Sequence, residues 1–340
     1  MERDAWILVT GGAGLIGSAI VYRLNQMGYE NIVIVDSLKD GEKWQNLRAL
    51  RFADYFEKDD GFYEELSSGL LDKKYPFQVI FHLGNCSDTT EPDASYLIEN
   101  NFACGKLLAD YCVRRGVRMV YASSAATYGD GEQGFKDDEK TIHLLRPLNK
   151  YGYSKQIFDQ YLLHRGWLTA PVEGGASFVG VKYSNVFGPN EYHKGKMRSM
   201  LLRCYEQISK DGEVKLFKSY RPEYADGEQV RDFLYVTDAA NMTIFFMNDG
   251  AKCCGLYNIG YGSTRSWNDL AHAMFDAMHR EPRIQYIEMP EELKARYQYY
   301  TCLEMDKIRK AGYAETPLTL EEAAREYVRY LDKGAHLGDL

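Results

Sequence analysis

Residues 6–17 read Trp6-Ile7-Leu8-Val9-Thr10-Gly11-Gly12-Ala13-Gly14-Leu15-Ile16-Gly17, a short apolar run that breaks into glycine and resumes as a second apolar segment. A run of this length ended by glycines has the signature of a buried strand. Gly12, Gly14 and Gly17 satisfy GxGxxG, and Gly11, Gly14 and Gly17 satisfy GxxGxxG. A side chain at such positions would keep a pyrophosphate away from the free N–H groups and dipole of the helix that follows. Ile16, Ala19, Ile20, Leu24 and Met27 then recur at helical spacing and Gly28 stops the pattern, so residues 14–27 are predicted as a crossover helix. Nineteen residues after Gly17, Asp36 closes the next apolar run, 31–35. An acid at that place accepts hydrogen bonds from adenosine ribose hydroxyls in dinucleotide-binding βαβ units. Strand, glycine turn, helix and strand-end acid in this order point to a bound dinucleotide rather than to a tight turn alone.

Working outward, strand-like runs at 79–83, 117–122, 177–183 and 256–260 alternate with helical stretches. Such alternation predicts an α/β fold, a Rossmann doubly wound parallel sheet. From about residue 186 the pattern changes to basic and polar loops around 190–200 and 218–231. The expected organisation is therefore an NAD(P)-binding part, 1–185 with about 232–262, and a smaller C-terminal α/β substrate-binding part, about 186–231 with 263–340. Behind Pro317, Thr319-Leu320-Glu321-Glu322 is a capping box that opens a helix through residue 330. No internal repeat is present.

The 340 residues suffice for two joined domains, and 45% hydrophobic with 26% charged residues excludes a disordered or low-complexity chain. Lys and Arg number 41 against 49 Asp and Glu, so a net charge of −8 opposes nonspecific binding to a phosphate backbone, and nucleic acid is not an expected partner. No 18-residue apolar span and no signal-peptide core occur, which predicts a cytoplasmic protein with no membrane partner. Seven cysteines without a CxxC pair suit reduced core thiols, the vicinal Cys253 and Cys254 included. The histidines lack HExxH or paired-ligand spacing. His272 and His279, seven apart on a predicted helix, read as core or surface residues, and no metal is expected.

Tyr151 and Lys155 stand at i and i+4 in Tyr151-Gly152-Tyr153-Ser154-Lys155, on one face of a helix. A phenol is a poor base at neutral pH, and a neighbouring ammonium stabilises its phenolate, so Tyr151 is a candidate proton acceptor. Ser123 and Ser124 follow the 117–122 strand, at the sheet edge where ligands bind. At the other end of the cofactor the chemistry leaves two choices open. Asp36 favours NAD, whereas Lys39, Lys43 and Lys58 are close enough in sequence to meet a 2′-phosphate.

The glycine turn, Ser124, Tyr151 and Lys155, in that order, resemble the extended short-chain dehydrogenase/reductase superfamily over nearly the whole chain. Within it the chain is most similar to nucleotide-sugar epimerases, through DSLKDGEKWQNL (36–47), FADYFEK (52–58), CSDTTE (86–91), YASSAATYG (121–129), LNKYGYSK (148–155) and HKGKM (193–197). The resemblance implies tightly held NADP, with NAD the alternative, and inversion at C6 of an ADP-linked glycero-manno-heptose, a precursor of the lipopolysaccharide inner core. It places catalytic groups at Ser124, Tyr151, Lys155 and Lys194. Cofactor positions fall on Gly11, Gly14, Leu15, Ile16, Gly17, Asp36, Ser37, Lys43, Lys58, Leu83, Asn100, Tyr151, Lys155 and Val186. Substrate positions fall on Ser124, Asn185, Lys194, Arg231 and Tyr297 and on the 217–220 loop with Phe217. The resemblance also implies a homo-oligomer, with a pentamer as candidate size. Hydride would leave C6, a keto intermediate would turn over, and hydride would return to its other face. Inversion of this kind needs proton donors on both sides, hence Lys194 beside Tyr151.

Lys196 and Arg203 stand where that group uses a Ser and a His, and the 218–231 loop is longer and more polar. Both changes suit extra diphosphate contacts or a different nucleotide sugar. A 4,6-dehydratase would carry an Asp-Glu pair where this chain has Ala125 and Ala126, so dehydration lacks its acid. A UDP- or GDP-sugar 4-epimerase uses the same Ser, Tyr and Lys. A non-catalytic cofactor-binding protein would have no reason to keep all three, and a net oxidoreductase would consume free cofactor.

Overall fold

The computed structural model describes residues 1–248, 253–294 and 297–340, so positions 249–252 of the expected nucleotide-binding part lie outside the described residues. Seven parallel strands form the main sheet: β1 (Trp6–Thr10), β2 (Ile32–Asp36), β3 (Asp54–Glu57), β4 (Phe77–His82), β5 (Arg118–Ser124), β6 (Ser177–Tyr183) and β11 (Gly255–Ile259). Their spatial order is β3-β2-β1-β4-β5-β6-β11. β1 pairs with β2 on one side and with β4 on the other, so the chain winds outward from β1 and restarts at β4 in the opposite direction. The crevice beyond the carboxyl ends of β1 and β4 is thus the switch point where a doubly wound sheet binds its ligand.

Alternation along the strands builds a core on each face. Ile7, Val9, Ile32 and Ile34 join one apolar cluster, while Leu8, Val33 and Ile80 join the other. Helices cover both faces, which is why β1 and β2 are apolar at nearly every position. The first helix, Leu15–Gln26, packs against the helix Val236–Phe245.

Beyond the end of β6 lie three small pairs. β7 (Asn185–Phe187) runs parallel to β10 (Phe233–Tyr235), β8 (Val214–Phe217) runs parallel to β13 (Ile284–Ile287), and β9 (Val230–Arg231) runs antiparallel to β12 (Arg265–Ser266). The Thr319 capping box is formed, with the Glu322 N–H donating to Thr319 Oγ1 at 3.3 Å and the Thr319 N–H donating to Glu322 Oε2 at 2.9 Å.

Three details differ from the sequence reading. β3 was not foreseen, because an edge strand reading Asp-Tyr-Phe-Glu and half-buried throughout has no apolar run. His272 and His279 do not share a helix: it ends at Ala277, and His279 lies beyond it with φ +53°. All seven cysteines are free, but only Cys112, Cys204 and Cys253 are buried, and Cys86, Cys104, Cys254 and Cys302 are half-buried. Among the described residues, no helix is long and apolar enough to cross a membrane, and no group of His, Cys, Asp and Glu is arranged to hold a metal.

Candidate active site

The glycine turn forms a cradle whose backbone packs too closely for side chains. A Cβ on Gly17 would lie 2.0 Å from Gly11 O, and one on Gly11, whose φ is +69°, would lie 2.6 Å from Gly84 N at the end of β4. Gly14 caps the first helix with no side chain of its own, leaving the helix's first N–H groups facing the crevice. This cradle fits a dinucleotide pyrophosphate. Gly17→Ala is expected to cost about 1–3 kcal/mol of stability through overpacking and to release the cofactor, which denaturant melts and the absorbance of the purified protein would report.

Asp36 lies beside the cradle. Its Oδ2 accepts from the Ala13 N–H at 2.8 Å, and its Oδ1 accepts from the Ser37 N–H at 2.7 Å and from Lys43 Nζ at 2.5 Å. The Lys58 N–H donates to Asp36 O at 2.8 Å, and Lys58 Nζ donates to Asn100 Oδ1. Asp36, Ser37, Lys43, Lys58 and Asn100 therefore gather at one edge of the crevice. Lys39 is exposed, with φ +48°. Leu15 is buried, Ile16 half-buried beside it, and the Leu83 N–H donates to Thr10 O at 3.0 Å across β1 and β4. Below them His82 shares a 2.7 Å hydrogen bond with Thr10 Oγ1, and burial pushes its pKa down to about 3, so the ring is neutral.

Ser124 ends β5, and its Oγ accepts from the Ala126 N–H at 3.1 Å. Tyr151 stands in the first turn of the helix Lys150–His164, which Asn149 caps by accepting from the Gly152 N–H at 2.7 Å. Gly152 allows that turn to press on the β5 end, since a Cβ there would lie 2.7 Å from Ala126 O. The close approach brings the Tyr151 phenol within reach of Ser124. Burial raises the Tyr151 phenol above its ordinary pKa, and the Ser124 bond pulls the other way. Lys155 is buried, with Nζ 5.9 Å from the Tyr151 ring centre and donating to Ala122 O at 3.0 Å. Burial brings the Lys155 pKa down to about 7, with Asp159 and Cys86 opposing the fall. Cys86 was read as a core thiol, yet it stands in this group. Its N–H donates to Asn101 Oδ1 at 2.7 Å, and the segment it opens, CSDTTE, carried the family resemblance without marking the thiol itself.

Lys194 lies in the turn Tyr192–Met197, held by buried residues on either side of it in space. Glu191 Oε1 accepts from Ser199 Oγ at 2.7 Å and from the Tyr327 hydroxyl at 2.9 Å. Asn46 Nδ2 donates to Ala13 O at 2.8 Å and to Asn190 O at 3.0 Å, and lies 3.2 Å from His193 Nδ1. The loop is thereby fastened to the glycine cradle. Burial lowers the Lys194 pKa against the pull of Glu191, and burial with the nearby Lys43 and Lys194 brings His193 down to about 4. No hydrogen bond joins Lys194 to Tyr151 among the described residues.

Phe217, Arg231 and Tyr297 come together on the small strands. The Phe217 and Tyr297 ring centres are 6.4 Å apart, and the Arg231 guanidinium lies 5.4 Å from the Tyr297 ring centre and 5.4 Å from that of Trp267. Asn185 is exposed at the start of β7 and its N–H donates to Asp232 O at 3.0 Å, and Val186 next to it is half-buried. Arg203 and Lys196 are exposed and joined, the guanidinium donating to Lys196 O. Trp267 was not singled out from the sequence, where an isolated Trp at a helix start carries no site pattern.

A dinucleotide cradle at a switch point, with a Ser, Tyr and Lys at the end of β5, can bind a nicotinamide cofactor and move a proton at a hydroxyl-bearing carbon. The chain belongs to the NAD-dependent epimerase/dehydratase family, whose pattern matches residues 7–260. It is 48% identical over 323 residues to the ADP-L-glycero-D-manno-heptose-6-epimerase of Nitratidesulfovibrio vulgaris (strain DP4), a match covering 95% of this chain and 96% of that one. It is 43% identical over 338 residues to the enzyme of the same name from Fusobacterium nucleatum, covering 96% and 98%. The crystal structure of the Helicobacter pylori ADP-L-glycero-D-manno-heptose-6-epimerase superposes with a TM-score of 0.78 at 26% identity, covering 97% of each chain.

Proposed function

We propose that the protein interconverts ADP-D-glycero-D-manno-heptose and ADP-L-glycero-D-manno-heptose at C6, and so serves lipopolysaccharide inner-core heptose synthesis. The observation that carries this reading is the Ser124, Tyr151 and Lys155 group beside the glycine cradle, in a chain whose relatives at 43–48% identity bear that name. When bound, a nicotinamide dinucleotide supplies the hydride acceptor and donor. Tyr151 removes the proton of the C6 hydroxyl on one side, Ser124 orients that oxygen, and the Lys155 ammonium stabilises the phenolate. Lys194 serves the opposite face of the keto intermediate. Phe217, Arg231 and Tyr297 hold the nucleotide end, with Asn185, Lys196 and Arg203 along the diphosphate and sugar.

The cofactor in this reading is NADP. Asp36 has its carboxylate engaged by Ala13, Ser37 and Lys43, which offsets its repulsion of a 2′-phosphate, and Lys43 and Lys58 lie at the same edge. Lys43→Ala is expected to weaken NADP binding about tenfold while leaving NAD binding within about twofold, as loss of one charge-assisted contact predicts; equal effects on both would return the choice to NAD. The reading includes the two-part division of the chain, a cytoplasmic location and a homo-oligomer, for which light scattering of the purified protein would test the pentamer.

The deciding experiment incubates purified protein with ADP-D-glycero-D-manno-heptose and no added cofactor and resolves the C6 epimers by NMR. Equilibration of the two supports both the activity and a resident cofactor. No conversion after NADP and NAD are supplied in turn would direct attention to another nucleotide sugar and to Lys196 and Arg203.

A further inference from the structure

Directly behind Lys155 lies a buried ion pair for which the chemistry above has no use. Lys182, next to the carboxyl end of the largely apolar β6, and Asp159, one helical turn beyond Lys155, have side chains 1% and 0% exposed and meet at 2.7 Å. Asp159 accepts three hydrogen bonds: from Tyr121 at 2.9 Å, from Ser123 at 2.7 Å and from Lys182 at 2.7 Å. Lys182 Nζ also donates to Thr127 at 2.7 Å and to Ser123 at 3.3 Å. A buried pair of this kind is weak evidence for stability, because desolvation offsets its attraction. What distinguishes this one is its place. Tyr121 and Ser123 flank Ala122, whose carbonyl receives Lys155, and Ser123 precedes Ser124.

We propose that Asp159, held by hydrogen bonds from Lys182, Tyr121 and Ser123, is a positioning residue for Lys155: its carboxylate is the fixed counter-charge that keeps the buried ammonium in its working form beside Tyr151. The proposal rests on the reading that Tyr151 and Lys155 move protons in the reaction above. Lys155 makes no ion pair of its own among the described residues, so its charge is supported through space. The groups facing it are Tyr151 and Asp159 on its own helix, His82 and Cys86 at the end of β4 and just after it, and Ser123 and Ser124 on β5, with Lys182 behind Asp159 on β6. His82 is neutral, and burial raises the Cys86 thiol above its ordinary pKa. Asp159 is thus the one carboxylate among them. Its field raises the Lys155 pKa against the desolvation that lowers it.

Removing the Asp159 charge lowers the Lys155 pKa further, so the ammonium is lost at a lower pH and the alkaline limb of the rate profile moves toward acid. The test compares Asp159→Asn, the charge-neutral double variant Asp159→Asn with Lys182→Met, and Asp159→Glu, which restores the charge. Lys155 is titrated without substrate through the NMR shift of its 13C-labelled Cε, assigned by its loss in Lys155→Arg. The expected result is a fall in the Lys155 midpoint of about one pH unit or more in Asp159→Asn, as loss of a nearby opposite charge predicts, a smaller fall in the double variant, which also removes the like charge of Lys182, and the midpoint kept in Asp159→Glu. The alkaline limb of epimerisation shifts with it. A folded neutral variant whose Lys155 midpoint equals that of the wild type overturns the proposal and leaves the pair a structural one, felt only in melting temperature. If the wild type does not act on the ADP-heptose, the functional reading falls, while the lysine titration still decides the role of Asp159.

Discussion

Replacing Tyr151 with phenylalanine is expected to lower turnover by about a thousandfold, the middle of the range for loss of a general acid–base group, with the cofactor still bound. The ring would remain where it is, since Gly152 and the Asn149 cap set the first turn of its helix and neither depends on the hydroxyl. The Ser124 hydroxyl would keep the Ala126 N–H and lose the phenol, and Lys155, 5.9 Å from the ring centre, would face an apolar ring with no phenolate to stabilise. The glycine cradle and Asp36 lie on the other side of the switch point and share no hydrogen bond with Tyr151 among the described residues. Turnover followed by NMR of the two epimers, beside the cofactor content of the purified variant, checks both halves of the expectation. Wild-type turnover would remove Tyr151 from the role of base.

Lys194→Ala is expected to reduce inversion about a hundredfold with little loss of cofactor. Burial lowers its pKa below the ordinary lysine value, the direction that eases release of a proton. The competing role, an electrostatic contact with the substrate diphosphate, predicts a different kinetic outcome. Loss of such a contact raises KM and leaves kcat near the wild-type value, whereas loss of the second proton carrier lowers kcat. The turn around Lys194 is held by the Glu191 and Asn190 side chains and by Asn46, so truncating the lysine leaves its loop in place. Retained kcat with raised KM would assign Lys194 to binding and send the search for a second acid elsewhere in the crevice.

What could be read from sequence follows the range over which the physics acts. The glycine turn, the first helix, Asp36 and the Tyr151/Lys155 pair are local patterns, each set by residues within a few turns, and the structure places them as the pattern requires. Strand ends moved by a residue or two because the last ladder bonds depend on neighbouring strands: the run expected at 117–122 extends to Ser124, which pairs with Tyr183 on β6. The long-range fastenings were not visible. Asn46 looks like a loop residue, and its partner Asn190 stands 144 positions away. Lys182 reads as an odd charge in an apolar strand until Asp159 is seen against it. Asp159 itself was within reach, being four residues past Lys155 on the same helix face, but a Lys and an Asp at that spacing usually mark a solvated surface.

The fastening of the cradle also constrains the order in which the molecule can be completed. Asn190 donates to Ser18 Oγ at 2.9 Å, and its Oδ1 accepts from the Leu337 N–H at 3.0 Å, a residue 147 positions later. Arg48 and Asp339 close the same corner with a 2.5 Å ion pair. During synthesis the glycine turn emerges from the ribosome first, yet the groups that lock its surroundings emerge long afterwards. Because 291 positions separate Arg48 from Asp339, this corner is knit by residues remote in sequence and cannot close from its own neighbourhood alone.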